Sequence, residues 1–170
     1  IERQNFMPPG AEIFMLHLYV LASGDQLVCL VEWSAMLISL VGVSLIAHQL
    51  GAKPTGQLLA GVFAATLPMG IAQASSTMTD YVVGLWVLCL AGEALAAVDE
   101  TRLSLPVLFG GLAGGLSIVT KPTAYPFVAP LGLLMAWAVI RRAGIRKAAS
   151  LGAAALVLAI TLNLGPFYRN

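Results

Sequence analysis

Four stretches of this chain, 54–79, 103–120, 122–140 and 148–168, contain no Asp, Glu, Lys or Arg. A water-soluble globule cannot be assembled from such runs, because its surface must be coated with polar groups and about a quarter of an ordinary soluble chain is charged. Here 10% of the 170 residues are charged and 59% are hydrophobic, with a mean hydropathy of +0.89. That composition excludes a soluble enzyme, a disordered tail and a disulfide scaffold. Nine Lys+Arg against eight Asp+Glu leave a net charge of +1, with no cationic excess to hold nucleic acid. What remains is a polytopic membrane protein.

A span needs about 20 apolar residues. The runs are long and continuous rather than alternating with period two, so an all-α transmembrane helical bundle is expected and a barrel is not. Their spacing predicts about six spans, near 27–47, 57–73, 80–98, 104–119, 123–140 and 148–165. Segment 11–22, AEIFMLHLYVLA, is too short to cross. With Pro8-Pro9-Gly10 before it and Ser23-Gly24-Asp25 after it, it predicts a short juxtamembrane or re-entrant helix hairpinned onto the next span. A short tilted span is the competing reading. The chain is taken as one domain, with an outer-face loop and juxtamembrane helix over 1–26 and helical spans over 27–170. It opens at Ile1 with no initiator Met or basic leader and stops just after an apolar segment, so an internal piece of a longer membrane protein is expected.

Orientation follows from basic residues in short loops. Arg141-Arg142-Ala143-Gly144-Ile145-Arg146-Lys147 holds four cations and no acid, which makes it cytoplasmic. Alternation then places Asp99–Arg102 and His48–Lys53 on the inner side. Arg3, Asp25, Asp80, Lys121 and Arg169 fall on the outer side.

Four features are candidates for chemistry. Gln73–Asp80 leads into the third span. Thr77 as N-cap with Asp80 at N3 makes a capping box, and the same Asp80 is an outward carboxylate able to hold a divalent metal or a sugar hydroxyl. Thr120-Lys121-Pro122-Thr123 joins two charge-free spans. Lys121 is there either a snorkelling anchor or a phosphate ligand beside a helix N-terminus. Gly110-Gly111-Leu112-Ala113-Gly114-Gly115 contains two overlapping G-x-x-x-G patterns, which close helix packing explains. Glu32 and Glu93 lie inside otherwise apolar spans; Glu32 is near enough to the outer end to reach the interface, and Glu93 sits in the inner third. Cys29 and Cys89 are on separate spans without metal-like spacing, and His17 and His48 have no ligand partner one turn away. Neither a P-loop nor a G-x-S-x-G elbow is present.

In order, Arg3-Gln4-Asn5-Phe6-Met7-Pro8-Pro9-Gly10, a short helix, a span, Ser75-Ser76-Thr77-Met78-Thr79-Asp80 at a helix start, and Gly-Gly-Leu-Ala-Gly-Gly-Leu-Ser-Ile-Val-Thr-Lys121-Pro follow one another. This order resembles the GT-C class of multi-spanning, lipid-linked-sugar glycosyltransferases. It is most similar to the family 39 protein mannosyltransferases and the aminoarabinose transferases of lipid A, and the likeness runs over nearly the whole chain. The resemblance implies transfer of a sugar from a polyprenyl-phosphate donor to a protein, lipid or glycan acceptor, at the periplasmic face of a bacterial inner membrane. Asp80 matches an outer acid that in the family binds a divalent metal or shapes the acceptor site. Lys121 matches a position on the donor side and is implied to meet the donor phosphate. Where the aminoarabinose transferases carry Lys before the Pro-Pro pair this chain has Met7, and Arg3 takes its place as a phosphate contact. The family's first-loop acid would lie upstream of Ile1, so the isolated chain is expected to be inactive.

Such a reaction needs a carboxylate to accept the acceptor's proton and a cation to stabilise the departing phosphate. A surface site supplies both without carrying charge to the bilayer centre, where each costs roughly 2.5–3.5 kcal/mol on insertion scales. Two other classes stay open: a transporter or permease, which Glu93 favours, and a structural membrane subunit in which Asp80 and Lys121 are only a cap and an anchor.

Overall fold

The computed structural model describes residues 9–99 and 103–169, with side chains for 9–98 and 103–165. Arg3 lies outside the described residues. All regular structure among them is helical: α1 Gly10–Ala22, α2 Leu30–Gln49, α3 Pro54–Ala65, α4 Pro68–Ala74, α5 Asp80–Asp99, α6 Ser104–Thr120, a 3-10 turn Pro122–Ala124, and α7 Tyr125–Arg169.

The breaks between helices have local causes. Helix α1 ends with Ser23 in the left-handed region (φ 53°). The Ser23 amide donates to the Val20 carbonyl and the Gly24 amide to the Tyr19 carbonyl, the paired bonds of a Schellman ending. Gly24, the residue expected to stop the helix, stands one position beyond the left-handed one. The span expected over 57–73 is two helices bent by 66°. Pro68 has no amide to donate and its ring clashes with the preceding turn, so α3 cannot run through it; Leu67, just before it, is extended (ψ 115°), as a residue preceding Pro must be.

By length and composition three helices can cross a membrane: Leu30–Gln49, Asp80–Val98 and the stretch Pro122–Gly165; the bent pair α3–α4 makes a fourth. The count of about six expected from the sequence is not confirmed by that measure. Helix α6, at 17 residues, is about 25 Å long, short of the roughly 30 Å hydrocarbon core. The last stretch is not straight. Gly144 leaves helical geometry (φ 79°, ψ 165°) and divides α7 into a first arm, 125–143, and a second, 145–169. A Cβ placed on Gly110 would meet Met135, while one on the adjacent Gly111 would meet Ala155. The arms therefore lie side by side against α6, and Arg141–Lys147, expected as a loop, is helix on either side of a single turning residue.

Helices α2 and α5 run parallel, since Glu32 bonds the start of α5, Gly42 faces Leu88, and Gly92 faces Ile46 and Gln49. Helices α3 and α4 return the chain between them. Helix α6 then runs antiparallel to α5, with Leu90, Ala94, Ala97, Leu103, Val107 and Met135 in one buried cluster. One end of the bundle thus gathers Gly10, Glu32, Asp80 and Lys121; the other gathers Gln49, Leu103 and the turn at Gly144. Asp80 and Lys121 thus lie opposite Gln49 and the 141–147 turn, as charge and alternation separate them in the sequence.

The most completely buried apolar residues are small, and many large ones face outward. Ala11, Ala35, Ala94, Ala97 and Ala124 are almost fully buried, whereas Leu21 (79%), Leu133 (72%) and Phe63 (71%) stand exposed. That inversion suits lipid, where large apolar side chains lose nothing by facing outward and small ones let backbones approach. In water it would form apolar patches far beyond those of a soluble monomer. The chain is built as an integral membrane protein.

Candidate functional site

Helix α6 ends at Thr120, whose hydroxyl donates to the Leu116 carbonyl (2.7 Å). Lys121 is extended (φ −158°, ψ 131°), and Pro122 opens the turn into α7. Its ammonium is thereby thrown sideways across the end of the bundle, where it donates to Asp80 Oδ1 at the start of α5. The two side chains are 31% and 35% exposed, so solvent can reach both. Asp80 also sits in the first turn of its helix, where the positive end of the helix dipole favours a carboxylate.

The cap of α5 is not the local box. The helix begins at Asp80, so Thr77 lies outside it and Asp80 is not at N3. Glu32, from the first turn of α2, supplies the acceptors instead: Oε2 accepts from the Tyr81 amide (2.9 Å) and Oε1 from the Val82 amide (3.2 Å). Glu32 is fully buried (0% exposed) rather than reaching the interface. Its carboxylate lies within electrostatic range of Asp80 and Lys121. Because another helix supplies the cap, the Asp80 carboxylate is left to face Lys121.

The approach to Asp80 is tied down from α4. The Tyr81 hydroxyl lies so close to Gly70 that a Cβ there would overlap it. In the turn that follows, Ser76 Oγ donates to the Gln73 carbonyl (2.7 Å) and accepts from the Met78 amide (3.2 Å). Gln73 Oε1 is buried with no hydrogen-bond partner among the described residues, an acceptor that no local sequence signal singles out. Gly10 packs against the backbone of Val119 and Thr120, which brings α1 to this same end.

The other candidates lie elsewhere. Glu93 lines a cavity of about 270 Å³ between α2 and α5, with Gln49 and Cys89. His17 Nδ1 contacts the Ile13 carbonyl of its own helix (2.7 Å), and His48 Nδ1 contacts Gln57 Nε2 (3.2 Å). Cys29 and Cys89 are free thiols. Among the described residues no group of three or more His, Cys, Asp or Glu gathers to hold a metal ion. Asp80 brings one carboxylate that faces an ammonium, and that of Glu32 is engaged by two amides. The described residues therefore do not by themselves form the divalent-metal site that the resemblance implies.

The fold and site define a helical integral-membrane protein with an accessible carboxylate–ammonium pair at one end of its bundle. No family model, curated protein or solved structure matches the chain.

Proposed function

We propose that the chain is part of a membrane glycosyltransferase that moves a sugar from a polyprenyl-phosphate donor to an acceptor, at the Asp80–Lys121 end of the bundle. What carries this reading is that Asp80, at the start of α5, and Lys121, in the extended link after α6, meet there as an ion pair. In the reaction, the acceptor's hydroxyl or amine attacks the anomeric carbon. The bond from that carbon to the phosphate oxygen breaks, and the lipid phosphate leaves with the electron pair. Asp80 takes the acceptor's proton, a role worth about 10²–10⁴-fold. Lys121 offsets the charge growing on the phosphate, exchanging its partner Asp80 for the donor. Arg3 is a second phosphate contact in this proposal, and the site faces the periplasm of a bacterial inner membrane.

The test is sugar transfer by the full-length enzyme with a polyprenyl-phosphate sugar. Asp80→Asn lowers kcat by about 100-fold or more at unchanged expression, and Lys121→Gln raises the KM for donor. Near-wild-type kinetics in both variants would reduce the pair to a structural bridge.

The cavity with Glu93 favours a second reading, transport of a cationic or protonated solute past a single intramembrane acid. Proteoliposome uptake that is lost in Glu93→Gln, with no sugar transfer by the wild type, would establish it in place of the first.

A further inference from the structure

The end of the bundle opposite Asp80 and Lys121 holds a second arrangement that sugar transfer does not use. At the turn of α7, Arg141, Arg142, Arg146 and Lys147 are all exposed, and no acid interrupts them. The Arg141 guanidinium lies 4.7 Å from the centroid of the Trp137 ring, a cation–π contact beside the kind of half-exposed aromatic that sits at headgroup level. Directly below this turn an apolar cavity of about 310 Å³ opens between α6 and the two arms, within the roughly 300–1,000 Å³ range of ligand sites. Val139 and Ala148, the wall residues nearest the turn on each arm, stand at its upper end, and Val128 and Ala159 at its lower end. From Val128 to Val139 is about 16 Å along the helix.

The cavity exists because of glycine placement. Gly111 and Gly115 hold the second arm so near that an added Cβ would fall within 3 Å of Ala155 and Ala159. Gly132 and Gly152, on the facing arms, line the cavity, and a Cβ on either meets nothing within 4 Å.

We propose that this is a binding site for one anionic phospholipid of the leaflet at the α7 turn. Its phosphate sits among Arg141, Arg142, Arg146 and Lys147, and one acyl chain runs between the arms. The charge of the turn selects the occupant: four exposed cations within a few residues of the wall residues Val139 and Ala148 complement an anionic headgroup on a hydrocarbon chain, whereas a zwitterionic lipid gains only the slot. The lipid would fill the space between arms that only Gly144 joins.

The full chain, purified in detergent, is titrated with equimolar phosphatidylglycerol and phosphatidylcholine of identical chains, and retained lipids are counted by native mass spectrometry. Wild type is expected to retain phosphatidylglycerol roughly fivefold or more over phosphatidylcholine. Replacing all four cations by Gln brings the ratio to about one. Gly132→Leu and Gly152→Leu, which place a side chain on the cavity wall where a Cβ meets nothing within 4 Å, lower retention of both lipids and keep the ratio. A wild-type ratio near one overturns the proposal, as does an unchanged ratio without the cations or unchanged retention in both glycine variants. Displacement of phosphatidylglycerol by polyprenyl phosphate equally well with and without the cations also overturns it, and makes the slot a donor-chain site instead. The wild-type ratio decides even if a variant fails to fold.

Discussion

Glu32 shows how far one side chain's meaning depends on its surroundings. In the sequence it is an acid just inside an apolar span. In the fold it is the cap of another helix, sealed from solvent and bonded to two amides that would otherwise be orphaned. A buried group left unsatisfied costs about 1–3 kcal/mol, so Glu32→Ala should lower stability by roughly 2–4 kcal/mol. Glu32→Gln, which keeps one carbonyl acceptor, should lose about half as much. Thermal unfolding in detergent checks this, and an alanine variant as stable as wild type would dismiss the cap. Asn163 is a similar case, a polar residue in a charge-free run. Its amide donates to the Gly115 carbonyl of α6 (3.0 Å) as well as to Ala159 (2.8 Å), a buried cross-helix bond. Asn163→Leu should cost about 1 kcal/mol, the scale of such bonds in membranes. Neither role leaves a local signal, because each partner is nearly fifty residues away.

At the scale of the element, the sequence was most informative where the backbone itself is restricted. The short apolar segment near 11–22, set between Pro9 and Gly24, is the helix expected there. The break at Pro68 was missed because the hydropathy of 57–73 is continuous across it, and hydropathy does not register a missing amide. The glycine cluster of α6 was recognised as a packing surface, but not that it has two faces. Gly110 meets the first arm of α7 through Met135, and Gly111 and Gly115 meet the second through Ala155 and Ala159. Gly115→Leu should therefore push the second arm away and cost about 1–3 kcal/mol, with weaker protection of 151–163 in hydrogen exchange. Gly152→Leu on the facing helix, where a side chain has open space, should leave both nearly unchanged. Equal effects of the two would mean that the arm does not rest on α6.

For the whole molecule, composition settles the class and charge settles the grouping of ends. The basic turn at 141–147, Gln49 and Leu103 share one end; Asp80 and Lys121 share the other. In a Cys29→Ala, Cys89→Ala background, Met78→Cys should react with an impermeant maleimide added from outside intact cells. Arg146→Cys should react only after permeabilisation. Labelling of both from one side would overturn the topology.

The sequence alone determined that the chain is an α-helical membrane protein, and that Asp80 and Lys121 share the end opposite the 141–147 turn. Both are sums over local composition: hydropathy over a window measures transfer to lipid, and loop charge measures the cost of translocation. Tertiary structure alone decided that Asp80 pairs with Lys121, that Glu32 frees it to do so, and that α7 doubles back to enclose a slot beneath its cations. Those are contacts between residues twenty to fifty apart. They depend on how closely glycine and alanine let particular helices approach, a quantity that no window along the chain contains.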